Sequence, residues 1–191
     1  MFGSSRFQFS GSYSPHDVIF LLKEAQISLT SIDAKEAAIQ SGRQHYSEML
    51  SPESVPDQTY MALYKGALDR NVGRLASDIH YLANQIVNCV GDTPVLISLA
   101  RAGTPIGVLL QRRLRTLGCA SAHYSVSIIR ERGIDMLALN AIINHHGVES
   151  IVFVDGWTGK GAIRGELNRT LANAKIPNRL CVVADLAGVA D

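Results

Sequence analysis

The stretch that most constrains this chain is 150–163, Ser-Ile-Val-Phe-Val-Asp-Gly-Trp-Thr-Gly-Lys-Gly-Ala-Ile. An apolar run, Ile151 to Val154, ends in Asp155. A glycine-rich turn from Gly156 to Gly161 follows, and a helical pattern starts at Ala162. The order predicts a buried strand, an acid at its carboxyl end, a loop sized for a phosphate, and a helix N-terminus. In open α/β sheets that arrangement sets a carboxylate and a row of backbone N–H groups in the ligand crevice. The acid suits sugar hydroxyls or a metal; the loop suits a phosphate. Two nucleotide-binding loops are excluded. Aligning Gly159-Lys160 with a Walker A loop puts Val154 where its first glycine belongs and Gly161 where its hydroxyl belongs. No G-x-G-x-x-G opens this helix at the right phase for a dinucleotide.

Residues 94–110, Pro-Val-Leu-Ile-Ser-Leu-Ala-Arg-Ala-Gly-Thr-Pro-Ile-Gly-Val-Leu-Leu, repeat the layout. Pro94 to Leu99 reads as a short buried strand and Arg101-Ala102-Gly103 as a tight turn. Thr104 then reads as an N-cap with Pro105 at the first helical position. That start suits an anion, with Arg101 adding a fixed charge; the plain alternative is a well-capped helix start. Across 93–191, candidate strands at 94–99, 122–129, 151–155 and 180–185 alternate with candidate helices at 105–117, 135–146 and 161–174. Such alternation predicts a parallel sheet with its chemistry at the strands' carboxyl ends, where Arg101, Arg130, Asp155 and Asp185 fall.

Residues 1–92 read as helical after an irregular start. Ser14-Pro15 predicts a cap for a helix through Lys23, and a second helix spans Asp33 to Leu50. Ser51-Pro52-Glu53-Ser54-Val55-Pro56 is a break. Met61, Tyr64, Leu68, Val72, Leu75, Ile79, Leu82 and Ile86 then recur at spacings of three and four, an amphipathic helix whose stripe packs on the sheet or on a partner subunit.

Composition narrows the class further. A hydrophobic fraction of 47% and a net charge of +1 suit a globular domain and argue against nucleic acid as the main partner. No apolar run of transmembrane length and no secretory leader is expected, so no membrane partner. Cys89, Cys119 and Cys181 are widely spaced and predict neither a disulfide framework nor a zinc site. His145-His146 reads as a helix end, with His80 and His123 packed or at the surface. Arg130 to Asp135 packs four charges around one glycine and reads as a solvated loop whose Asp135 caps the next helix; a lid with basic residues is instead what the family resemblance of this region implies. Phe9 to Pro15 reads either as a contact to a phosphate or base, or as an arm packed on the core.

The pattern strand–Asp155–x–x–Thr158-Gly159-Lys160-Gly161–helix resembles the PRPP-binding loop of type I phosphoribosyltransferases, and Ala100-Arg101-Ala102-Gly103-Thr104 resembles their pyrophosphate loop. Together with Phe9 to Pro15, Asp17 to Leu22 and His123 to Asp135, these motifs resemble the phosphoribosyltransferase-like proteins of bacterial tellurite-resistance and stress operons, some of which are labelled cysteine proteases of the StiP type. The resemblance covers nearly the whole chain. It implies an α/β, parallel-sheet phosphoribosyltransferase-type fold with a helical N-terminal extension, 1–92, packed on a PRPP-binding core, 93–191. The two form one domain, truncated at the C-terminus relative to longer relatives.

The activity so implied is a PRPP-dependent glycosyltransferase, a pentosyltransferase in which a base-like acceptor displaces pyrophosphate. Its setting would be cytoplasmic, as a homodimer, with a further C-terminal domain or operon-encoded partner. The implied catalytic residues are Asp155, Arg101 and Arg130. Implied substrate contacts are Ala102, Gly103, Thr104, Arg132, Gly156, Trp157, Thr158, Gly159, Lys160, Gly161 and Ala162, with Mg2+ at Asp155. Arg101 and the Gly103 loop would stabilise the departing pyrophosphate, Thr158 to Ala162 would anchor the 5-phosphate, and Asp155 would hold the ribose hydroxyls. Trp157 would stack a base or ribose, or fill space. In those enzymes two acids usually precede the Thr-Gly loop; here Gly156 follows Asp155. That departure supports an alternative, a non-catalytic phosphoribosyl-ligand-binding regulatory domain. A third reading, a cysteine protease, needs a thiolate beside a histidine, and no cysteine here falls at a predicted helix N-terminus.

Overall fold

The computed structural model describes residues 9–23, 25–172 and 174–191. The first eight residues of the N-terminal arm, and Asn173 within the helix expected over 161–174, lie outside them. The chain divides into two compact units: residues up to 22 with 73–191, and 23–72.

The larger unit is built on a parallel sheet. Its strands are β1 (Ile19–Phe20), β2 (Val95–Ala100), β3 (Ala122–Ile129), β5 (Ile151–Trp157) and β6 (Leu180–Ala184), in the order β1-β3-β2-β5-β6; β4 (Gly133–Ile134) turns back antiparallel on β3. The central strands are near-continuous apolar runs because both faces are covered. Alternation along each strand separates two cores. Ile151 and Phe153 join Leu99, Val126, Leu139, Ile142 and Leu167 on one face. Val152 and Val154 join Leu96, Leu110, Leu114, Ile79, Ala83 and Ile86 on the other. The first face carries α4 (Met136–His146) and α5 (Ala162–Leu171). The second carries α3 (Gly103–Thr116) and the C-terminal half of α2 (Gln58–Val90).

Two glycines let α3 approach the sheet. A Cβ at Gly103 would strike the Val154 carbonyl oxygen, and one at Gly107 would strike Ser98 Oγ and His123 Nε2. Below them runs a buried polar line: Ser98 Oγ lies 2.7 Å from His123 Nε2 and donates to the Gly103 carbonyl at 3.0 Å. His123 Nδ1 lies 2.7 Å from the Asp17 carbonyl oxygen. Burial pushes the His123 imidazole down to about 4. The Asp17 carboxylate receives Arg112 and Arg115 from α3, and the Arg112 hydrogen bond leads in holding its pKa below the usual range.

The helix expected from Ser14 to Lys23 is not formed. Residues 11–17 make turns and Ile19–Phe20 joins the sheet edge, Ile19 facing Tyr124. Asp17's pairing with Arg112 and Arg115, nearly a hundred positions away, anchors the segment against α3, and Phe9 stacks on Phe20 at 5.3 Å. In the smaller unit, the helix expected over 33–50 is α1 (Ile32–Gln40), capped by Ser31 Oγ accepting from the Ala34 amide. It ends where Gly42 turns left-handed at φ 66°. A 3-10 turn, Tyr46–Glu48, follows, and Thr30 donates to the Leu50 carbonyl at 2.8 Å. The other strands and helices of 93–191 fall close to expectation, except that β5 runs two residues further, pairing Trp157 with Ala184.

Candidate functional site

Strand order reverses between β2 and β5: β3 lies on one side of β2 and β6 on the far side of β5. Loops leaving β2 and β5 therefore part, and a crevice opens at their carboxyl ends. It has a volume of about 270 Å3 and is lined by Leu99 to Ala102, Ile128, Arg130, Asp155, Trp157 to Lys160, Ala162 and Ile163. Both helices that start there lack a side-chain cap, with Ala102 before α3 and Gly161, at φ 81°, before α5. First-turn amides without intrahelical acceptors favour an anion; α5 offers such a row, and α3 only part of one, since the Thr104 amide donates to the Arg101 carbonyl at 3.1 Å and Pro105 has no N–H. Arg101, Arg130 and Lys160 add positive charge around them.

Asp155 is the buried acid of this crevice, 8% exposed. Its Oδ1 accepts the Gly156 amide at 2.7 Å. Burial raises its pKa, and the Gly156 bond only partly opposes that. A magnesium ion here would find a single protein carboxylate. Asp155 is the one carboxylate in the lining, one of its oxygens is engaged, and no cluster of three His, Cys, Asp or Glu able to hold a metal occurs among the described residues.

Of the expected site residues, Arg101, Ala102, Arg130, Asp155, Trp157, Thr158, Gly159, Lys160 and Ala162 meet at the crevice. The structure places five elsewhere. Thr104 is not the cap: α3 begins at Gly103, two residues before the expected start at Pro105, and the Thr104 hydroxyl lies 2.8 Å from Ser125 Oγ, buried against β3. Gly103 serves the close packing of α3 on β5. Gly156 is a buried strand residue, Gly161 sits behind the loop near Ala187 and Val189, and Arg132 is outside the lining. Asp135 caps α4, accepting from Leu137 and Ala138.

Thr158, in the lining, has its hydroxyl committed elsewhere. It donates to Asp185 Oδ1 at 2.8 Å and accepts the Ala187 amide at 3.1 Å. Asp185 also accepts Val189 and Ala190 amides, and the Val189 bond leads in lowering its pKa. This latch ties the glycine loop to the segment after β6. The sequence signal for it was an acid ending the last strand.

A second cavity, about 350 Å3, lies between α2 and the β5–β6 face, lined by Tyr81, Leu82, Gln85, Ile86, Cys89, Val152, Arg179, Leu180, Cys181 and Asp191. Cys89 is the exposed thiol; Cys119 and Cys181 are buried. Desolvation pushes Cys181 up to about 12, so it stays protonated at neutral pH. No histidine lines this cavity. His80, nine positions before Cys89 on the same helix, is roughly 13 Å away along the axis.

Fold and site together define a parallel α/β protein with a cationic crevice at its switch point and one accessible thiol. A family model described as tellurite-like stress resistance cysteine protease StiP matches residues 11–191, and the chain belongs to that family. It is 48% identical over 186 residues to the protein named cysteine protease StiP of Acinetobacter baylyi (strain ATCC 33305 / BD413 / ADP1), a match covering 95% of this chain and 49% of that one. The chain thus spans about half the length of the curated relative it matches. No solved structure matches it.

These names overturn the expected PRPP-dependent glycosyltransferase. The family description and the relative both name a protease, so the transferase reading of Asp155, Arg101 and Arg130 falls, while the tellurite and stress association agrees. The motif reading went astray because a strand, a glycine loop and a helix start specify an anion-binding shape without specifying a reaction.

Proposed function

We propose that this chain takes part in thiol-dependent proteolysis during stress, with Cys89 as its nucleophile. The supporting observation is the contrast among the thiols: Cys89 is exposed at the rim of an apolar cavity, while Cys119 and Cys181 are buried. In the reaction a base takes the Cys89 thiol proton, the resulting thiolate attacks the scissile carbonyl, and the base returns that proton to the departing amine. The amine leaves protonated, and water hydrolyses the thioester. Among the described residues no histidine lines the cavity around Cys89, so on this reading the base is supplied from outside that lining. The test is peptidase activity of the full-length protein on an unfolded substrate, wild type against Cys89→Ala. Loss in the variant supports the assignment; full activity removes it.

The crevice supports a second reading, an anion-binding site that serves that activity. Arg101, Arg130 and Lys160 converge with two uncapped helix starts, and Asp155 is placed to accept from hydroxyls of the same ligand. The sheet order and paired loops support describing the fold as phosphoribosyltransferase-type, put to another use. Titrating inorganic phosphate into wild type and Lys160→Ala checks it; binding unchanged by the substitution would refute it.

A further inference from the structure

Arg130, one of the cations lining the crevice, stands on a turn that its own sequence does not favour. Strand β3 hands over to β4 with Ile129 paired to Gly133, which leaves Arg130, Glu131 and Arg132 as the loop. The Arg132 amide donates to the Ile129 carbonyl at 3.1 Å and closes a four-residue turn. Glu131, third in that turn, has φ 67°, a conformation that turns usually give to glycine or asparagine. A larger side chain held there costs energy and persists only where its surroundings impose it.

The imposing group is on α5. Glu166, whose side chain is 14% exposed, accepts the Glu131 amide on Oε1 at 2.8 Å, and the Gly133 amide also bonds to its carboxylate. Arg169, one turn further along, pairs with the same carboxylate. A Cβ at Gly133 would strike Thr170 Oγ1, so the end of the loop meets the helix only with glycine there. The helix whose start faces the crevice thus also fastens the loop that carries Arg130.

We propose that Glu166 is a positioning residue of the anion site, acting on the Glu131 and Gly133 amides to hold the turn that brings Arg130 to the crevice. The inference rests on the anion-binding reading above. Its signature is a sign. Through space, an acid near the crevice repels an anion, so removing one tightens binding. Acting through Arg130, its removal weakens binding.

The test is calorimetric titration of inorganic phosphate into the full-length protein, with amide exchange of the Glu131 region read by mass spectrometry. Glu166→Ala is expected to weaken binding about fivefold and to speed that exchange. Glu166→Gln, which keeps an acceptor oxygen, is expected to stay within about twofold of wild type. Glu166→Ala with Arg130→Ala is expected to bind no more weakly than Arg130→Ala alone, because the two losses are one loss. Binding that Glu166→Ala leaves intact or tightens removes this inference alone, and so do losses that multiply in the double variant. A wild type that binds no phosphate removes the anion-binding reading, and this inference with it.

Discussion

The crevice at the switch point and the cavity beside α2 belong to the same α/β unit and are made of opposite materials. The crevice gathers Arg101, Arg130, Lys160 and two uncapped helix starts around Asp155 and holds no thiol. The cavity is mostly apolar and holds Cys89 and Cys181 but no histidine. Sequence motifs advertise the first because glycine loops have a recognisable pattern. They are silent on the second, because an exposed cysteine on a helix looks like any other. The family is described as a cysteine protease, and the second holds the exposed cysteine. On the proposed reading, shape for binding and chemistry for cleavage are separated on this chain.

The largest effect that would break this division is at the thiols. Cys89→Ala is expected to lower peptidase activity of the full-length protein by about 10^3-fold or more, whereas Cys181→Ser leaves it within about twofold, measured with a fluorogenic peptide. Next is the polar line under the crevice. His123 has a folded pKa of about 4, below its ordinary 6.5. The unfolded chain therefore takes up a proton first as pH falls, and stability drops by about 3 kcal/mol between pH 6.5 and 4. Denaturant titrations across that range should show the slope, and His123→Gln should flatten it.

Smaller effects sharpen the picture of the crevice. Gly103→Ala forces α3 off the Val154 carbonyl and is expected to cost about 1–3 kcal/mol, read as a lower Tm, with phosphate binding weakened as the helix start moves. Lys160→Ala removes one exposed charge and is expected to weaken phosphate binding about tenfold without changing Tm. Peptidase activity at saturating ligand should survive it if crevice and thiol are separate. A parallel loss of cleavage would merge the two sites.

What could be read in the sequence follows the range of the forces involved. Strand β3 has the boundaries expected, Ala122–Ile129, because a run covered on both faces is local information. Asp135 caps α4 as its spacing demanded. Ser14 to Lys23 failed because Asp17 answers to Arg112 and Arg115 rather than to its own neighbours. Thr104 failed as a cap because Ser125, on another strand, holds its hydroxyl. Thr158 lies in the loop that its spacing predicts, yet its partner Asp185 makes it a latch. The crevice was legible in outline and its occupant was not, since nine lining residues fit many anions and no one reaction. The rule that a reactive thiol sits at a helix N-terminus concerns thiolate stability and says nothing of access, and the exposure of Cys89 is legible only in the structure.

The central claim is that Cys89 is the reactive thiol, and covalent mapping tests it most directly. Full-length protein is treated with a peptidyl chloromethyl ketone bearing an aliphatic side chain, digested, and read by mass spectrometry. The account predicts one stoichiometric adduct on Cys89, absent after Cys89→Ala and coincident with loss of peptidase activity. Inactivation with the adduct on any other residue, or with Cys89 unmodified, contradicts it.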